Sequence, residues 1–133
     1  MRTATVTTVL DAPRDDVFSF LADVENLPRW ATEFAREMRR DGERHIVVNG
    51  LGEFVFQIRA DERTGVIDMF AGPSEDAMAV FPTRAVALAD GRTAYTFTMF
   101  QGQDMPDELF EAQHASLVRE FRNIERHFAD GAR

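Results

Sequence analysis

Residues 106–129 read PDELFEAQHASLVREFRNIERHFA, the longest helical pattern in a chain of 133 residues. Turned at about 100° per residue, Phe110, His114, Leu117, Phe121, Ile124 and Phe128 fall within one stripe about 80° wide. Such a stripe has to be buried. Asp104 and Pro106 supply start signals, Asp107, Glu108 and Glu111 gather early, Arg119, Arg122 and Arg126 gather late, and Gly131 stops the helix. That charge order suits the helix dipole. At ~1.5 Å per residue the segment spans roughly 35 Å, enough to cross a whole sheet.

The sheet to be crossed precedes it. From about residue 34 to residue 101, short runs are divided by Asp41-Gly42, Asn49-Gly50-Leu51-Gly52, Thr64-Gly65, Gly72-Pro73-Ser74 and Asp90-Gly91. This spacing predicts a meander of antiparallel strands. Phe54, Phe56 and Ile58 share one face of one strand, and Tyr95, Phe97 and Met99 share one face of the last, so both triplets should point inward. Residues 77–88 carry Pro82 and predict a bend or bulge. Ahead of the meander, residues 3–10 are rich in β-branched side chains and read as a first strand. Asp11 is a candidate N-cap before Pro13, Val17, Phe18, Leu21 and Val24 recur at helical spacing, and Asn26 and Pro28 restart a shorter helical turn ending near Trp30. The whole predicts an α+β fold over residues 1–133 as a single domain. A curved antiparallel sheet of six to seven strands wraps the long C-terminal helix, and two short helices follow the first strand. A sheet curled around a straight rod touches it well at one end while the two short helices close the other, and the space between becomes a pocket.

Composition removes several chemistries. The length suffices to bury roughly 65–70% of the unfolded surface. There is no Cys, hence no disulfide, thiolate nucleophile or thiolate metal site. All fifteen cations are Arg, so Schiff-base lysines are absent, and 23 acidic groups leave a net charge of −8. Scattered arginines on an acidic chain argue against nucleic acid. No apolar run approaches the ~18 residues of a membrane span, and the opening MRTATVTT lacks the apolar core of a secretory signal, so the cytoplasm is the expected compartment. Three His without an HExxH pattern make a metal site unexpected, and without GxGxxG, P-loop or GxSxG no cofactor is expected.

The order of elements, the early Ala-Pro before Val17-Phe18, the string Asp23-Val24-Glu25-Asn26-Leu27-Pro28-Arg29-Trp30 and the terminal amphipathic helix resemble the START-like helix-grip (SRPBCC) superfamily, particularly its bacterial polyketide cyclase/dehydrase-like branch. Gly65-Val66-Ile67-Asp68-Met69-Phe70 and Phe81-Pro82-Thr83-Arg84 are similar to segments of its small members. The resemblance covers nearly the whole chain. It implies lipid or other hydrophobic-ligand carriage, aromatase/cyclase activity, hormone reception or a co-chaperone-like role, and a shared fold does not choose among these.

His114 stands among phenylalanines on the apolar stripe, either as a core histidine bonded to a strand or as a pocket group offering a hydrogen bond or a proton. Asp68 interrupts an apolar run, either facing outward, paired with an Arg such as Arg84, or acting as a proton donor or acceptor. His114 and Asp68 are thus the catalytic candidates. Arg84 either anchors an anionic group or forms that ion pair. His45 faces the same side as Phe56 if the loop at Asn49-Gly50-Leu51-Gly52 leaves out two or four residues, and the other side if it leaves out three. His127 suits the helix C-terminus as a cation. Twelve of the fourteen aromatic residues are Phe, and with Met38, Met69, Met78 and Met99 they predict a greasy, adaptable lining. The expected ligand set is Trp30, Phe54, Phe56, Phe81, Arg84, Phe97, Met99, His114 and Phe121. The expected function is binding of a small hydrophobic molecule between sheet and helix. Its alternatives are a polyketide cyclase/dehydrase-type enzyme in the same cavity, or a protein-partner-binding domain with a filled core. The quaternary state, a homodimer included, is left open.

Overall fold

A computed structural model describes residues 1–129, so the stop signal at Gly131 lies outside the described residues. The chain opens with β1 (Thr3–Leu10), whose Ala4, Val6, Thr8 and Leu10 share the inward face while Thr5, Thr7 and Val9 face out. Helix α1 (Arg14–Ala22) follows Pro13, which takes the N-cap position itself instead of Asp11. Its fixed φ of −65° already suits a helix start, and its carbonyl receives the N–H groups of Asp16 and Val17. A 3-10 turn (Val24–Asn26), capped by the Asp23 carboxylate on the Glu25 N–H at 3.0 Å, leads into α2 (Leu27–Trp30).

The strands β2 (Glu37–Asp41), β3 (Arg44–Asn49), β4 (Gly52–Asp61), β5 (Val66–Gly72), β6 (Ala79–Phe81), β7 (Thr83–Ala87) and β8 (Thr93–Phe100) join β1 in one open, curved antiparallel sheet. Seven of them run in the order β1-β8-β7-β5-β4-β3-β2, and β6 branches off β5. The branch point is Pro82. It has no N–H for the ladder, so the run 77–88 divides into β6 on β5 and β7 on β8, and the Pro82 carbonyl accepts the N–H of Thr98 instead. At the seam between β5 and β7, Gly65 has φ +80° and accepts the Ala85 N–H at 2.9 Å. A Cβ there would stand 2.1 Å from the Ala85 carbonyl oxygen, so no other residue fits. The β3–β4 hairpin closes through two residues, Gly50 and Leu51, which places His45 and Val47 on the face of Phe54 and Phe56.

Helix α3 (Asp107–Ala129) lies against the concave face and buries Phe110, Leu117, Phe121, Ile124 and Phe128. Tyr95 stacks on Phe121 at 5.6 Å, and Phe20 of α1 meets Phe128 edge-on at 5.6 Å. The stripe is buried as its period demands, with one exception. His114 is only half-buried, whereas Glu120, off the stripe, is 3% exposed. Among the described residues no helix is long and apolar enough to cross a membrane.

Candidate functional site

The helix does not fill the sheet evenly. Between the N-terminal half of α3, the concave face and residues 31–36, which join α2 to β2, lies a cavity of about 320 Å³. Its apolar wall alternates along the strands as side chains on one pleated face must: Phe56 from β4, Met69 from β5, Phe81 from β6, and Phe97 and Met99 from β8. Trp30 also lines it, edge-on to Phe97 at 6.4 Å, with Phe81 at 5.9 Å from the same Phe97 ring. Phe34, 6.0 Å from Phe56, and the hairpin residues Asn49, Gly50 and Leu51 border it on the other side.

Polar residues reach the cavity from the connector and from one flank of α3. Arg119 grips Glu33 with two bonds of 2.6 and 2.9 Å, and Ser116 Oγ donates to the same carboxylate at 2.9 Å. That grip holds the Glu33 carboxyl below the usual carboxylate range. One turn along, Glu120 Oε2 accepts the backbone N–H groups of Glu33 at 3.0 Å and Phe34 at 2.9 Å. Asn123 Nδ2 donates to the Trp30 carbonyl at 2.9 Å, and Asn49 Nδ2 to the Phe34 carbonyl at 2.7 Å. A connector without regular structure is thus tied down at three backbone groups, and the end of α2 before it at a fourth. Burial pushes the Glu120 carboxyl up to about 7, although its two backbone N–H bonds favour the ionised form. The charge of Glu33 adds to the rise and that of Arg119 opposes it. Chemically, the site is a greasy hollow with one carboxyl on its wall that changes charge near neutral pH.

Trp30, Phe56, Phe81, Phe97 and Met99 come together on this cavity. Phe54 does not reach it; it shares the face of Phe56 but sits half-buried opposite Val47. Phe121 lies behind Phe97, 6.3 Å from it, on the packed side. His114 is absent from the lining, because it occupies the edge of the apolar stripe away from the cavity flank. Asp68 alternates with the buried Ile67 and Met69 and therefore faces outward, opposite Arg59. Arg84 is likewise on the outer face, where its Nε donates to the Thr64 carbonyl at 3.1 Å. His45 joins the inner face but bonds Glu25 at 2.8 Å, in a more open cleft of about 560 Å³ on the far side of Phe56. His127 stacks on Phe20 at 3.9 Å, and burial with nearby Arg29 lowers its pKa, so it serves as a neutral ring and not as the expected cation. Tyr95 is fully buried and its hydroxyl has no hydrogen-bond partner, while the nearby Thr83 hydroxyl donates to the Ile67 carbonyl at 2.7 Å.

Glu120 and Gln113 were not among the expected site residues. A signal for them exists: Gln113, Ser116, Glu120 and Asn123 recur at three- and four-residue spacing, a polar flank beside the apolar stripe. On a helix that merely rested on a sheet, such a flank would be solvated; here the connector covers it. Among the described residues no group of three acidic or His side chains could hold a metal ion.

No protein-family model matches the chain, and no curated protein matches it by sequence. Solved structures do match in three dimensions. The Zhui aromatase/cyclase from Streptomyces sp. R1128 is 22% identical with a TM-score of 0.65, over 98% of this chain and 93% of its own. A START superfamily protein from Mycobacterium smegmatis is 14% identical with a TM-score of 0.67, over 96% and 97%. The Aha1 dimer from Colwellia psychrerythraea is 10% identical with a TM-score of 0.71, over 96% of both chains.

Proposed function

Starting from a START-like fold of the polyketide cyclase-like kind, we propose that this chain binds a small hydrophobic molecule in the cavity between its sheet and α3. The supporting observation is the cavity itself, about 320 Å³ walled by Trp30, Phe56, Phe81, Phe97 and Met99. That volume lies near the lower end of the ~300–1,000 Å³ of small-molecule sites, which favours a compact guest over a long-chain lipid. A hollow of this size also weighs against the filled core of a purely partner-binding domain. His114, Asp68 and Arg84 share no common point on it, so proton-moving chemistry by that set lacks support. One observation favours a cyclase or dehydrase as the second reading: the Glu120 carboxyl titrates near neutrality on the cavity wall, where a proton could be taken and returned.

Trp30 is the only tryptophan and lines the cavity, which provides a built-in reporter. Titration with the neutral dye 1-aminoanthracene should give saturable energy transfer from Trp30, reversed by compact apolar competitors. Transfer that never saturates, in a protein that remains folded, overturns the proposal. Native mass spectrometry of protein from its own host then identifies any co-purifying guest.

A further inference from the structure

Several of the polar side chains around the cavity are already engaged. Both oxygens of Glu33 receive Arg119 or Ser116, Asn49 is bonded through both its amide N and its carbonyl O, and Arg119 is held by Glu33. Glu120 differs. Its Oε2 accepts two backbone N–H groups, but Oε1 accepts none. Among the described residues the only sealed side-chain polar atom without a partner is the Tyr95 hydroxyl, so Oε1 is not sealed in protein. Glu120 as a whole is 3% exposed and lines the cavity, so the hollow is the open space that adjoins this residue.

A carboxylate in such a place calls for a donor, and most of all for a cation. Burying a charge is costly unless it is paired and hydrogen-bonded. Charged groups near Glu120 do not supply the pair: Arg119 faces Glu33, Glu33 is itself an acid, and Arg36 is exposed at the rim. A chain of net charge −8 also draws cations toward it. We infer that the cavity selects an apolar amine, its ammonium bonded to Glu120 Oε1 and its apolar body against Phe97, Met99 and Trp30. This rests on the cavity being a ligand site, as proposed above, and adds the chemical class of the guest. Gln113, also on the wall and with its side chain free of hydrogen bonds, offers a carbonyl to a second ammonium hydrogen.

Four probes sharing one body separate the two ideas: 2-phenylethylamine, 2-phenylethanol, 3-phenylpropanoate and ethylbenzene, titrated against the full chain by NMR. At pH 8 the amine should bind about tenfold more tightly than the alcohol, with the carboxylate weakest. In Glu120→Gln, which keeps an acceptor for the two backbone N–H groups, amine and alcohol should bind within about threefold of each other. An amine no tighter than the alcohol at pH 8, or a preference that persists in Glu120→Gln, overturns the inference. If all four bind alike, the ligand site stands and its amine selectivity falls; if none binds, both fall. Wild-type protein gives an independent measurement should the variant fold poorly. Amine binding at pH 7 should release a proton from Glu120, seen by calorimetry as a heat that depends on the buffer, and a buffer-independent heat contradicts the inference.

Discussion

The two halves of α3 lie on the same sheet and meet it differently. Toward its C-terminus, Phe121, Ile124 and Phe128 pack solidly onto Tyr95, Phe20 and their neighbours. Toward its N-terminus, the flank bearing Leu109, Gln113, Ser116 and Glu120 stands across a hollow from Phe97 and Met99. A single straight rod cannot follow a curling sheet along its whole length, so close contact at one end implies a gap at the other. The chain closes that gap from the side, with residues 31–36 tied to the helix by Glu120, Arg119 and Asn123. One end of the rod supplies stability and the other supplies room.

The contrast is strongest in truncations. Phe128→Ala, at the packed end, should cost about 3–5 kcal/mol in chemical denaturation, because its site is enclosed on every side. A cost below about 1 kcal/mol would mean that the two ends are not different after all. Next comes pH. The Glu120 carboxyl, about 7 when folded, has an ordinary value of 4.5 in the unfolded chain. Below pH 4.5 it is protonated in both states and costs nothing. As pH rises toward 7 the unfolded chain ionises first, so the contribution of this group to stability is lost across that window. Glu120→Gln does not titrate; relative to wild type it should gain up to about 3 kcal/mol between pH 4.5 and pH 8. A pH-independent difference between the two proteins would place the carboxylate in water.

Smaller effects belong to the hollow end. Met99→Ala removes a side chain that already borders empty space, so its cost should be about 2 kcal/mol, the low end for a buried methionine, with larger apolar probes now admitted. Loss matching Phe128→Ala would show the cavity to be filled. His114→Ala should change stability by less than about 0.5 kcal/mol and leave probe binding unaltered, as the ring is half-buried and off the cavity.

The architecture was legible because it rests on periods. Phe110, Leu117, Phe121, Ile124 and Phe128 repeat at 3.6, and Tyr95, Phe97 and Met99 at two, and each period leaves one way to face the core. The same alternation puts Phe56, Phe97 and Met99 on the face that borders the cavity, although Phe54 on that face does not reach it. The polar contacts of the site follow from no such period. Glu120 stands between Arg119 and Phe121 and reads as a solvated charge; it is buried only because residues 31–36 fold over it, and that connector carries no period. His114 sits within the stripe by angle, but a stripe has two edges, and the sequence does not say which one faces the hollow. The side on which His45 emerged depended on a loop length that only the observed hairpin register supplied.

Crystals of the wild-type protein pressurised with xenon test whether room exists beneath α3. The gas occupies dry apolar space without regard to chemistry. Xenon density among Trp30, Phe97 and Met99, with none beside Phe121 and Phe128, is the expected result. Density absent from the first position, in crystals that take up xenon elsewhere, would contradict a guest-holding hollow at that end of the helix.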